Sequence, residues 1–248
     1  MIFCLVSISY FLNLWTMILN DLLSGLRALF YPQCCCVCEK KLIEGENYIC
    51  LDCLLKMPET NYCSQPENAA SNRLSGKIPY EKVVSFLYYN KGGWAQNVIA
   101  NIKYKENPDL GRYMGVIMAN EMRLSSFFEG VDWLVPIPLH PKKQKKRGFN
   151  QTEKIAEGVS KITGIPVSVD LVVRKIDTRT QTKKGRYDRW LNTSGIFESQ
   201  KNEKYANQHF LIIDDVLTTG ATIEACVTAI MQSYEDAQIS VLTLAFAE

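Results

Sequence analysis

The sequence predicts an α/β protein: a mostly parallel sheet flanked by helices, with a small cysteine-rich module ahead of it. Three observations carry that expectation. Apolar strand-like segments alternate with amphipathic helix-like segments from residue 82 to residue 246, the pattern of a sheet covered on both faces. Seven of the nine cysteines fall between Cys34 and Cys63. The chain has 248 residues, 47% of them hydrophobic and 22% charged, enough to bury a core and unlike a disordered, collagen-like or coiled-coil chain.

Taken in order, residues 1–20 carry no charged side chain, and the first basic one is Arg27. A secretory signal needs a basic start and a small-residue cleavage site, and neither is present. Three readings stay open: an extension ahead of a start at Met17, a membrane contact through residues 1–20, or an ordinary apolar helix. On the first, residues 1–16 are an upstream extension. Ile18, Leu22, Leu26 and Leu29 then fall at helical spacing, and residues 17–57 form a leader helix and the cysteine module. Residues 58–80 are polar, with Pro, Ser, Asn and Gly scattered through them, and read as a linker or wrapped loop. Residues 81–248 read as one domain. Strands are expected at 82–89, 131–137, 209–213 and 239–246, and helices at 94–104, 110–124, 152–163 and 222–233. His209, ahead of its strand, is expected to be exposed, and His140 to be a polar loop residue.

The cysteine spacing is Cys35-x2-Cys38-x11-Cys50-x2-Cys53. Four thiolates in two CxxC pairs supply the soft tetrahedral ligand set of a structural Zn²⁺, with no open position for catalysis. An odd cysteine count, clustered locally, fits a metal site in a reducing compartment such as the cytoplasm better than a disulfide framework. Cys34 is an alternative ligand in a looser spacing, and Cys63 reads as packing.

The sharpest motif joins the apolar run Phe210, Leu211, Ile212, Ile213 to a helix through Asp214 and Asp215, then Thr218, Thr219, Gly220, Ala221 and Thr222. A small-residue loop at a helix N-terminus is an anion site, and Gly220 lets the backbone approach closely. Two carboxylates beside it suit the hydroxyls of a sugar, with or without Mg²⁺. Charge is also uneven. From His140 to Trp190, 14 Lys and Arg stand against 5 Asp and Glu, a net +9 that leaves −7 elsewhere in a chain of formal charge +2. Phosphates or polyanions are the natural partners of such a stretch.

The acid pair and loop resemble the PRPP-binding signature of type I phosphoribosyltransferases. The whole resembles the ComF family of competence proteins, which pair that domain with an N-terminal zinc ribbon. The residues that carry this are Tyr31 and Pro32 before the CxxC pairs, Ile102-Lys103-Tyr104-Lys105, the run from Val135 to Leu139, and that from Arg147 to Gln151. Thr180 and Gln181 follow, and then Arg186, Arg189 and Asn192. The resemblance implies a type I phosphoribosyltransferase-like sheet behind a Cys4 zinc ribbon, with Mg²⁺ accompanying PRPP. It places Asp214 and Asp215 on the ribose and the Thr218 to Thr222 loop around the 5′-phosphate. Pro138, Leu139, Gly148, Asn150 and Gln151 would form the pyrophosphate loop. Arg147, Gln181, Arg186 and Arg189 would act at the reaction centre, the last three from a mobile loop over residues 174–192. The implied function is binding of PRPP or a related ligand, with phosphoribosyl transfer and pyrophosphate release, in DNA uptake. The alternative is a non-catalytic PRPP or nucleotide sensor that binds single-stranded DNA through basic loops and Phe149, Tyr187 and Trp190, with competence-machinery proteins as partners. No glutaminase domain is present, so this is not a glutamine amidotransferase, and no element announces a nucleobase acceptor.

Overall fold

The computed structural model describes residue 15 and residues 33–105, 107–174 and 195–248. The extension, leader and membrane-contact readings of residues 1–32 lie outside the described residues, Trp15 excepted. Among the described residues, no helix is long and apolar enough to cross a membrane. The chain divides into two units, Met1–Lys56 and Met57–Glu248.

In the first unit, two isolated bridges, Cys34 with Lys41 and Asn47 with Ile49, fold the CxxC segments back on themselves. The short helix α1 (Leu51–Leu55) follows. The Glu46 carboxylate accepts from the Ile43 and Leu51 N–H groups at 3.0 and 2.8 Å, fastening the turn to the helix.

The second unit is built on four parallel strands: β1 (Lys82–Tyr88), β2 (Trp133–Pro136), β5 (His209–Leu217) and β6 (Gln238–Phe246), in the order β1-β6-β5-β2. Their sequences are near-continuous apolar runs because helices cover both faces; Phe210 to Ile213 and Val241 to Phe246 are buried, the only polar side chain among them being Thr243. Thr243 meets Ser85 of β1 at 2.6 Å, so two buried hydroxyls satisfy each other. A small antiparallel pair, β3 (Val172–Arg174) and β4 (Phe197–Ser199), lies apart from this sheet. The helices are α2 (Ala69–Leu74), α3 (Trp94–Tyr104), α4 (Pro108–Met122), α5 (Pro141–Arg147), α6 (Gln151–Thr163) and α7 (Ala221–Met231). A parallel sheet flanked by helices, following a separate four-cysteine module in sequence, is the α/β class the sequence predicts.

Helices α4 and α6 cross at Gly115 and Gly158. A Cβ on Gly115 would stand 2.1 Å from the Ile155 carbonyl oxygen, and one on Gly158 2.1 Å from that of Arg112. This backbone contact fixes how far the first turn of α6 reaches toward the sheet.

The details depart from the sequence reading in four places. Strand β5 runs four residues beyond Ile213, carrying both acids inside the ladder, where Asp214 pairs with Thr243 and Val216 with Ala245. His209 is buried and not exposed: its Nε2 lies 2.9 Å from Ser240 Oγ, its backbone N–H donates to Asp132, and burial pushes its pKa down. The lysine run is helix and not loop. Pro141 opens α5, the His140 ring caps it by accepting from the Lys142 N–H, and Gly148 stops it. Residues 58–80 hold a 3₁₀ turn (Tyr62–Ser64) and α2, with Tyr62, Ala70 and Leu74 buried.

Candidate functional site

The site lies at the carboxyl end of β5, where parallel α/β sheets receive ligands. Asp214 is half-buried and Asp215 buried. Asp215 collects three elements. Lys103 of α3 places its Nζ 2.5 Å from Asp215 Oδ2, and Gln151, opening α6, donates its amide to the same oxygen at 2.9 Å. Arg147, at the end of α5, donates in turn to Gln151 Oε1. The predicted residues Arg147, Gln151 and Asp215 therefore form one hydrogen-bonded chain. Asn150 caps α6: its Oδ1 accepts from the Thr152 N–H at 3.3 Å while its Nδ2 donates to the Ile137 carbonyl at 3.1 Å. Thr152 Oγ1 donates to the same carbonyl at 2.8 Å, so the end of β2, with Pro138 and Leu139 beyond it, is tied to α6. Gly148 lies exposed between α5 and α6.

Asp214 is held differently. Burial, and then the charge of Asp215, raise its pKa to about 7, against the pull of the Asp215 N–H, Lys103 and Arg174. Arg174, at the end of β3, stacks over Phe197 with its guanidinium carbon 5.4 Å from the ring centre. Its Nε is buried without a hydrogen-bond partner among the described residues, and burial lowers its pKa.

Beyond the acids, Thr218 and Thr219 are exposed and Gly220 begins α7 with φ +82°. A side chain there would be strained, and its Cβ would lie 2.5 Å from Leu74 Cδ2. Arg73 of α2 donates to the Thr218 carbonyl at 2.5 Å, and Lys77 to that of Thr219 at 2.8 Å. In a trans peptide the C=O and N–H point in opposite directions. The N–H groups of Thr219 and Gly220 therefore face away from those cations, and Ala221 and Thr222 beyond them are exposed. The first N–H groups of a helix lack partners within it, which suits an anion.

Sequence reasoning did not assign Lys103, Arg73, Lys77 or Leu74 to the site. Lys103 stands in the Ile102-Lys103-Tyr104-Lys105 run, to which the sequence assigns no role, and the others lie in the stretch read as linker. Gln181, Arg186 and Arg189, with Tyr187 and Trp190, lie outside the described residues.

In the first unit the sulphurs of Cys35, Cys38, Cys50 and Cys53 all lie within 4.8 Å of one another, and the eight described cysteines form no disulfide among themselves. Cys38 and Cys50 Sγ are 3.7 Å apart. Four sulphurs at about 2.3 Å from a tetrahedral Zn²⁺ stand about 3.8 Å from each other, so the cluster fits that ion. Burial raises the Cys35 pKa, but N–H groups of Cys50, Cys38 and Val37 outweigh it and bring the thiol to about 7, close to its thiolate form. Cys34 is exposed and outside the cluster.

This chain is 26% identical to competence protein ComFC of Bacillus subtilis over 227 residues, 88% of each chain. It is 23% identical to competence protein F of Haemophilus influenzae, covering 78% of this chain and 89% of that one. It is likewise 23% identical to the DNA utilization protein YhgH of Escherichia coli K12, covering 79% and 89%. These relatives bear out the ComF resemblance. No protein-family model matches. Among solved structures, glutamine PRPP amidotransferase from Bacillus subtilis aligns with a TM-score of 0.37 at 15% identity, over 54% of this chain and 26% of that one. Adenine phosphoribosyltransferase from Leishmania tarentolae aligns with a TM-score of 0.36 at 11% identity, over 72% and 88%. Likeness at that level is too slight to define a fold, which here rests on the strand order itself.

The acid pair makes stability depend on pH. The folded pKa of Asp214 lies above its ordinary 3.8, so the protonated acid favours folding. That contribution is complete below about pH 4 and is lost as pH rises through about 7. Thermal melts of the ligand-free protein and Asp214→Asn should coincide near pH 4 and diverge toward pH 8, the variant becoming the more stable. A difference that does not change with pH would refute this environment for Asp214.

Proposed function

We propose that this chain binds PRPP or a related 5-phosphoribosyl ligand at the end of β5 and transfers its phosphoribosyl group with release of pyrophosphate, in the service of DNA uptake in the cytoplasm. The observation that carries this reading is the junction of an acid pair, Asp214 half-buried and Asp215 buried, with the glycine-containing turn that opens α7. Asp214 and Asp215 would hold the ribose hydroxyls, and Thr218, Thr219, Gly220, Ala221 and Thr222 the 5′-phosphate. Pro138, Leu139, Gly148, Asn150 and Gln151 would face the pyrophosphate. Arg147 there, with Gln181, Arg186 and Arg189 from beyond the described residues, would stabilise its departing charge, since guanidinium forks match phosphate oxygens. Mg²⁺ would accompany the pyrophosphate of PRPP. The relatives named for competence and DNA utilization support the DNA-uptake setting.

The exposed helix α5 favours a second reading, a PRPP sensor that also contacts single-stranded DNA. Its Lys142, Lys143, Lys145 and Lys146 are all exposed and none is needed to hold the acid pair. Wild-type affinity for single-stranded DNA should fall with salt by a log–log slope of about −0.7 per phosphate contacted. Replacing Lys142, Lys143, Lys145 and Lys146 together should flatten that slope and leave binding of the phosphoribosyl ligand nearly unchanged. Equal DNA binding at every salt concentration would remove this reading.

Calorimetry with PRPP and Mg²⁺ tests the ligand. Wild type should bind, and both Gly220→Val and the Asp214→Ala, Asp215→Ala double variant should not. Unchanged binding by the double variant overturns the assignment. Pyrophosphate release with a panel of acceptors then separates transfer from sensing.

Cys35, Cys38, Cys50 and Cys53 would hold one structural Zn²⁺ per chain, which adds to folding free energy directly. Metal analysis of protein purified without chelator should return one zinc. Cys50→Ser should lose it and destabilise the module, whereas Cys34→Ser should keep it.

A further inference from the structure

Two consecutive carboxylates removed from water need a counter-charge, and a phosphate-bearing ligand would only add negative charge beside them. A divalent cation is one way to supply it. This chain carries another. The Lys103 ammonium sits 2.5 Å from Asp215 Oδ2, with the two side chains only 22% and 11% exposed. The same oxygen also accepts from Gln151, so its lone pairs already have donors. Arg174 adds positive charge on the side of Asp214. The described residues place no other ionisable side chain against the pair at ion-pair distance.

We propose that Lys103 takes the place of a divalent cation at the acid pair, so that Asp214 and Asp215 bind no metal and meet the sugar of their ligand as an internally neutralised pair. An ammonium at hydrogen-bond distance fills a coordination position of the carboxylate and repels an approaching dication, most strongly where water is scarce. Any Mg²⁺ then enters on the pyrophosphate of the ligand. The part that concerns the sugar rests on the phosphoribosyl reading of the site; exclusion of metal from the pair does not.

The test uses the full-length, zinc-loaded protein and Mn²⁺, which favours oxygen donors and whose free concentration electron paramagnetic resonance reads directly. Wild type and Lys103→Arg should leave Mn²⁺ free. Lys103→Met should gain one site, binding at least about tenfold tighter than wild type, and Lys103→Met with Asp215→Asn should lose it. A wild-type Mn²⁺ site that Asp215→Asn abolishes overturns the proposal, as does a folded Lys103→Met that gains none. Should Lys103→Met fail to fold by circular dichroism, Lys103→Gln replaces it, and the wild-type titration decides in either event. Ribose 5-phosphate, which has no pyrophosphate to carry a metal, provides the second readout. Its affinity for wild type should be the same with and without Mg²⁺, whereas Lys103→Met should need Mg²⁺. If ribose 5-phosphate fails to bind under every condition, the phosphoribosyl reading falls while the Mn²⁺ result stands. If it binds but wild type holds Mn²⁺ on Asp215, only the present proposal falls.

Discussion

Neutralising two adjacent carboxylates inside a covered sheet is the constraint around which the larger unit is arranged. A strand that carries Asp214 and Asp215 within its ladder is tolerable only if other elements bring donors to it. They come from three directions: an ammonium from α3, an amide from α6, and a guanidinium from β3 that acts through its charge. Removing Lys103 would leave Asp215 a buried charge without its ionic partner, which destabilises by several kcal/mol, roughly 3–5.

That arrangement demands accurate placement of α6, and placement comes from its packing on α4. The Gly115–Gly158 crossing brings two helix backbones together at a distance no side chain permits. Asn150 and Thr152 then tie the first turn of α6 to the Ile137 carbonyl beyond β2. Gln151 sits between these two restraints, its side chain directed onto Asp215 on one side and met by Arg147 on the other. Positioning of the site is thus a matter of backbone packing first and side-chain chemistry second.

Much of this was legible in the residues. Apolar periodicity located β1, β2, β6, the start of β5 and the long helices, because covered parallel strands leave long unbroken runs. The CxxC pairs announced the sulphur cluster because spacing alone brings such thiols together. Charge was the misleading signal. Asp214 and Asp215 read as the end of a strand, yet a strand continues through acids whose charge is balanced from elsewhere, and no local pattern reveals the balancing partner 112 residues earlier in the chain. His209 read as exposed for the same reason, its Ser240 and Asp132 partners being distant in sequence. The lysines of α5 obscured a helix bounded by Pro141 and Gly148. Polar composition hid the contribution of α2.

The two cations on the Thr218 and Thr219 carbonyls have a kinetic meaning. Arg73 and Lys77 hold the turn by its carbonyls in the ligand-free chain, so under the proposed phosphate role the entropy of ordering it would be lost during folding and not at the moment of encounter. A phosphate bound there as proposed would meet a turn already shaped. Differences among competing phosphate compounds should then lie chiefly in how long each remains bound, not in how fast each arrives.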